Sequence, residues 1–123
     1  MNANNYLMVE LPSCGMGCEY CKGNKAVLPS DYKEQIIKEL RSQKIWTVFL
    51  AGGEPLCERN LPITHSLVTY LKINFLQINI FILSSFSQTE LIKRKDFYLL
   101  REVLELGSII PKGKFEELKS LFK

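Results

Sequence analysis

Ile45-Trp46-Thr47-Val48-Phe49-Leu50-Ala51-Gly52-Gly53-Glu54-Pro55 is the stretch that decides how this chain folds. Seven β-branched, aromatic or apolar residues run without polar alternation and stop at two glycines. A strand buried on both faces of a parallel sheet reads this way. Working outward, Tyr6–Leu11 reads as a shorter strand, ended by Pro12-Ser13. Ser30 or Asp31 can cap a helix running to about Gln43, with Pro29 just outside it. Asp31 and Glu34 have capping-box spacing, and Tyr32, Ile36, Ile37 and Leu40 form one apolar stripe. Towards the C-terminus, Leu61–Phe75 reads as a helix and Gln77–Leu83 as a third buried strand. Thr89–Leu106 is helical behind a capping Ser87, with a break near Lys95-Asp96. Gly107 closes it, Ser108–Ile110 is a fourth short strand, and Phe115–Phe122 a terminal helix. Such alternation predicts parallel strands joined by right-handed crossovers. The expected fold is therefore α/β: a partial (βα) barrel of about four strand–helix units with a mostly parallel sheet. Trp46, Phe49 and Phe81 are assigned to its core.

The chain has 123 residues, 46% of them hydrophobic and 24% charged, which predicts one domain spanning residues 1–123. A complete eight-unit barrel is excluded, because it needs roughly 200–250 residues. Net charge is only +3. The single basic cluster, Lys93-Arg94-Lys95, reads as a solvated loop or helix face, so no nucleic-acid partner is expected. Phe75–Phe86 is too short and too polar to span a bilayer, so no membrane association is expected either. Met1–Asn5 lacks the features of a signal peptide, which predicts a cytoplasmic location. Four cysteines in a reducing compartment point to thiolate ligands or free thiols rather than disulfides.

Cys14, Cys18 and Cys21 follow the first strand as a C-x3-C-x2-C run. Thiolates are the soft anionic ligands that iron–sulfur clusters require, and this spacing lets one loop hold three corners of a 4Fe–4S cluster. The fourth iron then has no protein ligand and is open to a small molecule. Gly15 and Gly17 allow close backbone approach, and Tyr20 offers an aromatic face to a bound nucleoside. The competing reading is a structural zinc site with Cys57 as fourth thiolate, although zinc sites favour paired short-spaced cysteines. Otherwise Cys57 is a spare thiol. Gly52–Pro55 is either a ligand-binding turn or simple punctuation before the next helix. Ser84 and Ser85 can bond a ligand or cap a helix, and His65 reads as an exposed or packing residue. Parallel topology puts the cysteine loop and Gly52–Pro55 at the C-terminal ends of strands, where ligands bind in such folds.

A cysteine loop of this spacing after the first strand, followed by a Gly-Gly-Glu-Pro turn after the second, resembles the radical S-adenosylmethionine superfamily. The resemblance covers residues 6–60. More narrowly, Ser84-Ser85-Phe86-Ser87-Gln88-Thr89-Glu90-Leu91 and Gly113–Lys119 are similar to segments of the activating enzymes of glycyl-radical proteins, in particular anaerobic ribonucleotide reductase activators. The chain departs from that pattern at Glu54, where many activators carry Asp, at Ser85 in place of Gly, and at Ser108 and Lys112, where acidic residues are common. It also ends before those activators' usual tail. The resemblance implies that Cys14, Cys18 and Cys21 bind three irons while S-adenosylmethionine chelates the fourth. Tyr20, Gly52, Gly53, Glu54, Pro55 and Ser84 would form the cofactor-binding set, with the Glu54 carboxylate accepting from the cofactor's ammonium. No catalytic side chain is implied beyond the cluster and the cofactor. A flavodoxin-like donor would supply the electron that yields a 5′-deoxyadenosyl radical.

A domain of four strand–helix units is too small to enclose a small substrate, and radical chemistry needs water kept out. The expected substrate is therefore a protein, and the resemblance implies a glycyl-radical reductase. Two rivals stand beside it. One is a radical enzyme acting on a small molecule, resembling the 7-carboxy-7-deazaguanine synthases, and the other is a non-enzymatic zinc- or cluster-binding adaptor.

Overall fold

The computed structural model describes residues 5–11 and 30–120. Its strands are β1 (Leu7–Leu11), β2 (Thr47–Gly52), β3 (Asn79–Ser84) and β4 (Ser108–Pro111). They form a single sheet in the order β1-β2-β3-β4, with every neighbouring pair parallel. Sequence neighbours are thus sheet neighbours, the winding of a barrel rather than of a doubly wound sheet. Among the described residues the sheet does not close on itself, as the partial barrel requires.

Helices α1 (Tyr32–Gln43) and α2 (Leu61–Asn74) connect the first three strands. Between β3 and β4 the chain forms α3 (Gln88–Ile92) and α4 (Phe97–Leu106), so the break expected near Lys95-Asp96 is real. A 3-10 turn (Lys112–Lys114) leads into α5 (Phe115–Lys119). The helical face of the sheet holds the core. Val9, Val48, Leu50, Ile80 and Ile82 meet Ile36, Ile37 and Leu40 of α1, Leu67, Val68 and Leu71 of α2, and Leu100 and Val103 of α4. Burying each such side chain contributes roughly 1.5–3 kcal/mol. That gain explains why β2, buried from Thr47 to Leu50, reads as a continuous apolar run.

The opposite face is aromatic. The Phe49 ring stacks on Phe81 at 5.2 Å and meets Tyr6 and Phe115 edge-on, each at 5.2 Å. Phe115, the first residue of α5, therefore lies over the non-helical face of the sheet.

Three expectations need correction. Trp46 is 49% exposed; it precedes β2 at the N-terminal edge of the sheet and packs edge-on against Phe75. Asp31 is the N-cap of α1 but makes no capping hydrogen bond. Its φ/ψ of −102°/26° lies outside the extended region a capping side chain needs, and its Oδ1 accepts from Gln35 Nε2 at 2.9 Å instead. A capping box does form at α3. There Glu90 N–H donates to Ser87 Oγ (3.2 Å) and Ser87 N–H donates to Glu90 Oε1 (2.9 Å). These bonds from Ser87, backbone first and side chain second, hold the Glu90 carboxyl below its ordinary pKa. Lastly, Lys93-Arg94-Lys95 is not uniformly solvated. Arg94 turns inward to an ion pair with Asp96 at 2.6 Å.

His65, at mid-helix in α2, bridges to Glu102 of α4 at 3.1 Å. Among the described residues no helix is long and apolar enough to cross a membrane.

Candidate functional site

The C-terminal ends of β1, β2 and β3 meet at one edge, and the Gly52–Pro55 turn is built there. Leu11, the last residue of β1, is in register with Gly52, and Gly53 N–H donates to the Leu11 carbonyl at 3.1 Å. Gly52 has φ 87°, a conformation that a side chain disfavours, so the first glycine is required by the backbone itself. Cys14 is the third residue after Leu11 in the sequence.

Glu54 is 3% exposed, and its carboxylate is the hub of the turn. Oε2 accepts from Ser84 Oγ at 2.7 Å and from Leu56 N–H at 3.1 Å. Oε1 accepts from both the N–H and the Oγ of Ser85, each at 2.8 Å. The Ser84 hydroxyl also accepts from Phe86 N–H at 3.1 Å. A buried carboxylate is tolerated only with such donors, and each charge-assisted bond is worth roughly 1.5–3 kcal/mol.

The turn's carbonyls are likewise engaged. The Glu54 carbonyl accepts from Cys57 N–H (3.2 Å) and Asn60 Nδ2 (3.1 Å), and the Pro55 carbonyl from Thr64 Oγ1 (2.7 Å). Arg94 Nη1 donates to the Leu56 carbonyl. The Arg94 guanidinium is itself held by Asp96 and lies over the Phe86 ring, 5.4 Å from its centroid. Asn60 and Thr64 are buried at the start of α2, so the turn is fastened to the helix that follows it.

Of the residues singled out from sequence, Gly52, Gly53, Glu54, Pro55 and Ser84 therefore meet at one edge. Cys14, Cys18, Cys21 and Tyr20 lie outside the described residues. Cys57 is buried just beyond the turn. Among the described residues no group of three or more His, Cys, Asp or Glu side chains is placed to hold a metal. Cys14, Cys18 and Cys21 are the candidate ligands by their chemistry, since three thiolates are a soft donor set that fits an iron–sulfur cluster. A groove of about 600 Å³ between α1 and α2, lined by Ile37, Arg41 and Tyr70 among others, lies on the helical face and away from this edge.

Sequence reasoning left Ser85 undecided and missed Asn60, Thr64 and Arg94. Asn60 and Thr64 carried a usable signal, since polar residues at the start of an apolar helix close to a glycine turn have nearby carbonyls to satisfy. Arg94 carried none, because its inward turn depends on Asp96 and on how α3 packs.

Residues 7–121 match the family model described as a 4Fe-4S single cluster domain, and the chain belongs to this family. No curated protein and no solved structure matches it.

Proposed function

We propose that this 4Fe-4S single cluster domain protein is a radical S-adenosylmethionine activating enzyme. In this reading residues 1–123 act as one minimal domain that cleaves S-adenosylmethionine reductively and generates a glycyl radical on a partner protein. The partner class is the anaerobic ribonucleotide reductase, and a flavodoxin-like protein donates the electron in a cytoplasmic setting. The observation that carries the reading is the bond from Gly53 N–H to Leu11 O. It joins the Gly-Gly-Glu-Pro turn to the strand that runs into the C-x3-C-x2-C segment.

Cys14, Cys18 and Cys21 would hold the cluster and leave one iron to the methionine end of the cofactor. When bound, the cluster supplies one electron for cleavage of the sulfonium bond, and this leads to removal of a hydrogen atom from the partner's glycine. The chain's own residues bind and orient. Gly52 and Gly53 bring backbone within reach of the ligand, Pro55 stiffens the turn, Ser84 and Glu54 line its base, and Tyr20 offers a face to the adenine. Among the described residues the four-stranded sheet stays open, so a protein substrate can supply the wall that keeps water from a radical.

The test is to reconstitute the chain with iron and sulfide without oxygen, then add S-adenosylmethionine, a reductant and the reductase. A glycine-centred EPR doublet on the reductase is the expected result. An iron-loaded chain that never produces the doublet rejects the activase assignment, and cleavage stimulated by a metabolite instead would favour a small-molecule substrate.

A further inference from the structure

The Glu54 carboxylate already has four donors from the chain: Ser84 Oγ, Leu56 N–H, Ser85 N–H and Ser85 Oγ. A carboxylate offers about four lone-pair sites. An ammonium arriving from a ligand would have to displace one of these buried bonds. The carbonyls of Glu54, Pro55 and Leu56 are also taken by Asn60, Thr64 and Arg94. What remains of the turn is the backbone of Gly52 and Gly53, fixed by the φ of 87° at Gly52 and by the bond from Gly53 N–H to the Leu11 carbonyl.

We infer that Glu54 and Ser85 act as a clamp, positioning the Gly52–Gly53 backbone that meets the cofactor rather than touching the cofactor themselves. Ser85 is the residue this adds. It holds one carboxylate oxygen with two donors at 2.8 Å and ties the end of β3 to the end of β2. Ser84 holds the other oxygen from below and is itself fixed by Phe86 N–H. Removing the Ser85 hydroxyl takes away one of the two Ser85 donors to Oε1, which loosens the carboxylate and with it the glycine backbone. The inference rests on the S-adenosylmethionine reading for the identity of the ligand, but not for the existence of the clamp.

The experiment compares wild type, Ser85→Ala, Ser85→Thr, Glu54→Gln and the Glu54→Gln/Ser85→Ala double variant as reconstituted, iron-loaded full chains. S-adenosylmethionine dissociation constants are measured by equilibrium dialysis, with iron content determined for each sample. Ser85→Ala should weaken binding on the order of five- to tenfold at unchanged iron content. Ser85→Thr, which keeps a hydroxyl, should stay within about twofold of wild type. Glu54→Gln should cost less in the Ser85→Ala background than alone, because both substitutions break one unit. Ser85→Ala binding as tightly as wild type, or effects that multiply in full, overturns the inference.

Amide hydrogen exchange on the same samples reads the clamp without the ligand. Exchange at Ser85 and Leu56, whose N–H groups both donate to Glu54, should rise in Glu54→Gln. Unchanged exchange there overturns the clamp. A wild type that loads iron yet binds no S-adenosylmethionine contradicts the proposed function instead, and the exchange result then decides the clamp by itself.

Discussion

Replacing Gly52 by alanine asks an L side chain to hold φ 87° at the point where β2 turns into the site. The left-handed region costs a non-glycine residue roughly 1–2 kcal/mol. Alanine returns roughly 0.4–1 kcal/mol by restricting the unfolded chain. The net loss is therefore about 1 kcal/mol. At ~2.1 cal/mol/K per residue, a chain of 123 residues has an unfolding entropy near 0.26 kcal/mol/K. The midpoint should then fall by about 4 °C. Asparagine, which tolerates positive φ better, should lose less. Gly113→Ala is the control: nothing lies within 4 Å of the added carbon, so it should be neutral or stabilise by up to about 1 kcal/mol. Thermal unfolding followed by far-UV circular dichroism on the purified chain reads all four proteins. A Gly52→Ala midpoint at or above wild type, or an equal loss in Gly113→Ala, would refute the argument that the turn's backbone demands this glycine.

Iron analysis should separate the cysteines: alanine at Cys14, Cys18 or Cys21 abolishes cluster loading, whereas Cys57→Ala keeps it. Retained iron without Cys14, or iron lost with Cys57, would reassign the ligands. Leu50→Ala, which empties a fully buried site in the middle of the sheet, should cost about 2–5 kcal/mol in urea unfolding, and a loss below 1 kcal/mol on that scale would mean the core was misread. The Glu90 carboxyl has a pKa lowered by Ser87, so its contribution to stability is present above the ordinary carboxylate range and disappears as pH falls through the lowered value. The stability gap between wild type and Glu90→Gln should accordingly shrink on acidification; a gap that widened would reverse that sign.

The periodic elements were legible because burial leaves a one-dimensional trace. The apolar run before Gly52, the stripe of Ile36, Ile37 and Leu40, and the glycine after Leu106 each report a local condition that the fold enforces. Edges were harder. Trp46 reads as core by residue type, yet it sits one residue before β2, where the helices no longer cover the sheet. Asp31 has the right chemistry for a cap and the wrong backbone angles, which no pattern of residues reveals. At the candidate site, the resemblance pointed to Gly52–Pro55 and Ser84, which their residue types alone left open. Their hydrogen bonds depend on the parallel register that sets β3 beside β2, a contact 30 residues apart in sequence between Glu54 and Ser84. Arg94 was misread for the same reason, because the carbonyl it binds at Leu56 is 38 residues away.

Quantifying 5′-deoxyadenosine bears most directly on the central claim, that three thiolates hold an iron–sulfur cluster with a vacant corner beside the Gly52–Pro55 turn. The anaerobically reconstituted chain, given S-adenosylmethionine and a strong reductant, should release 5′-deoxyadenosine and methionine in equal amounts, and Cys18→Ala should release neither. A chain that carries its full complement of iron and leaves S-adenosylmethionine intact under reduction would contradict the account.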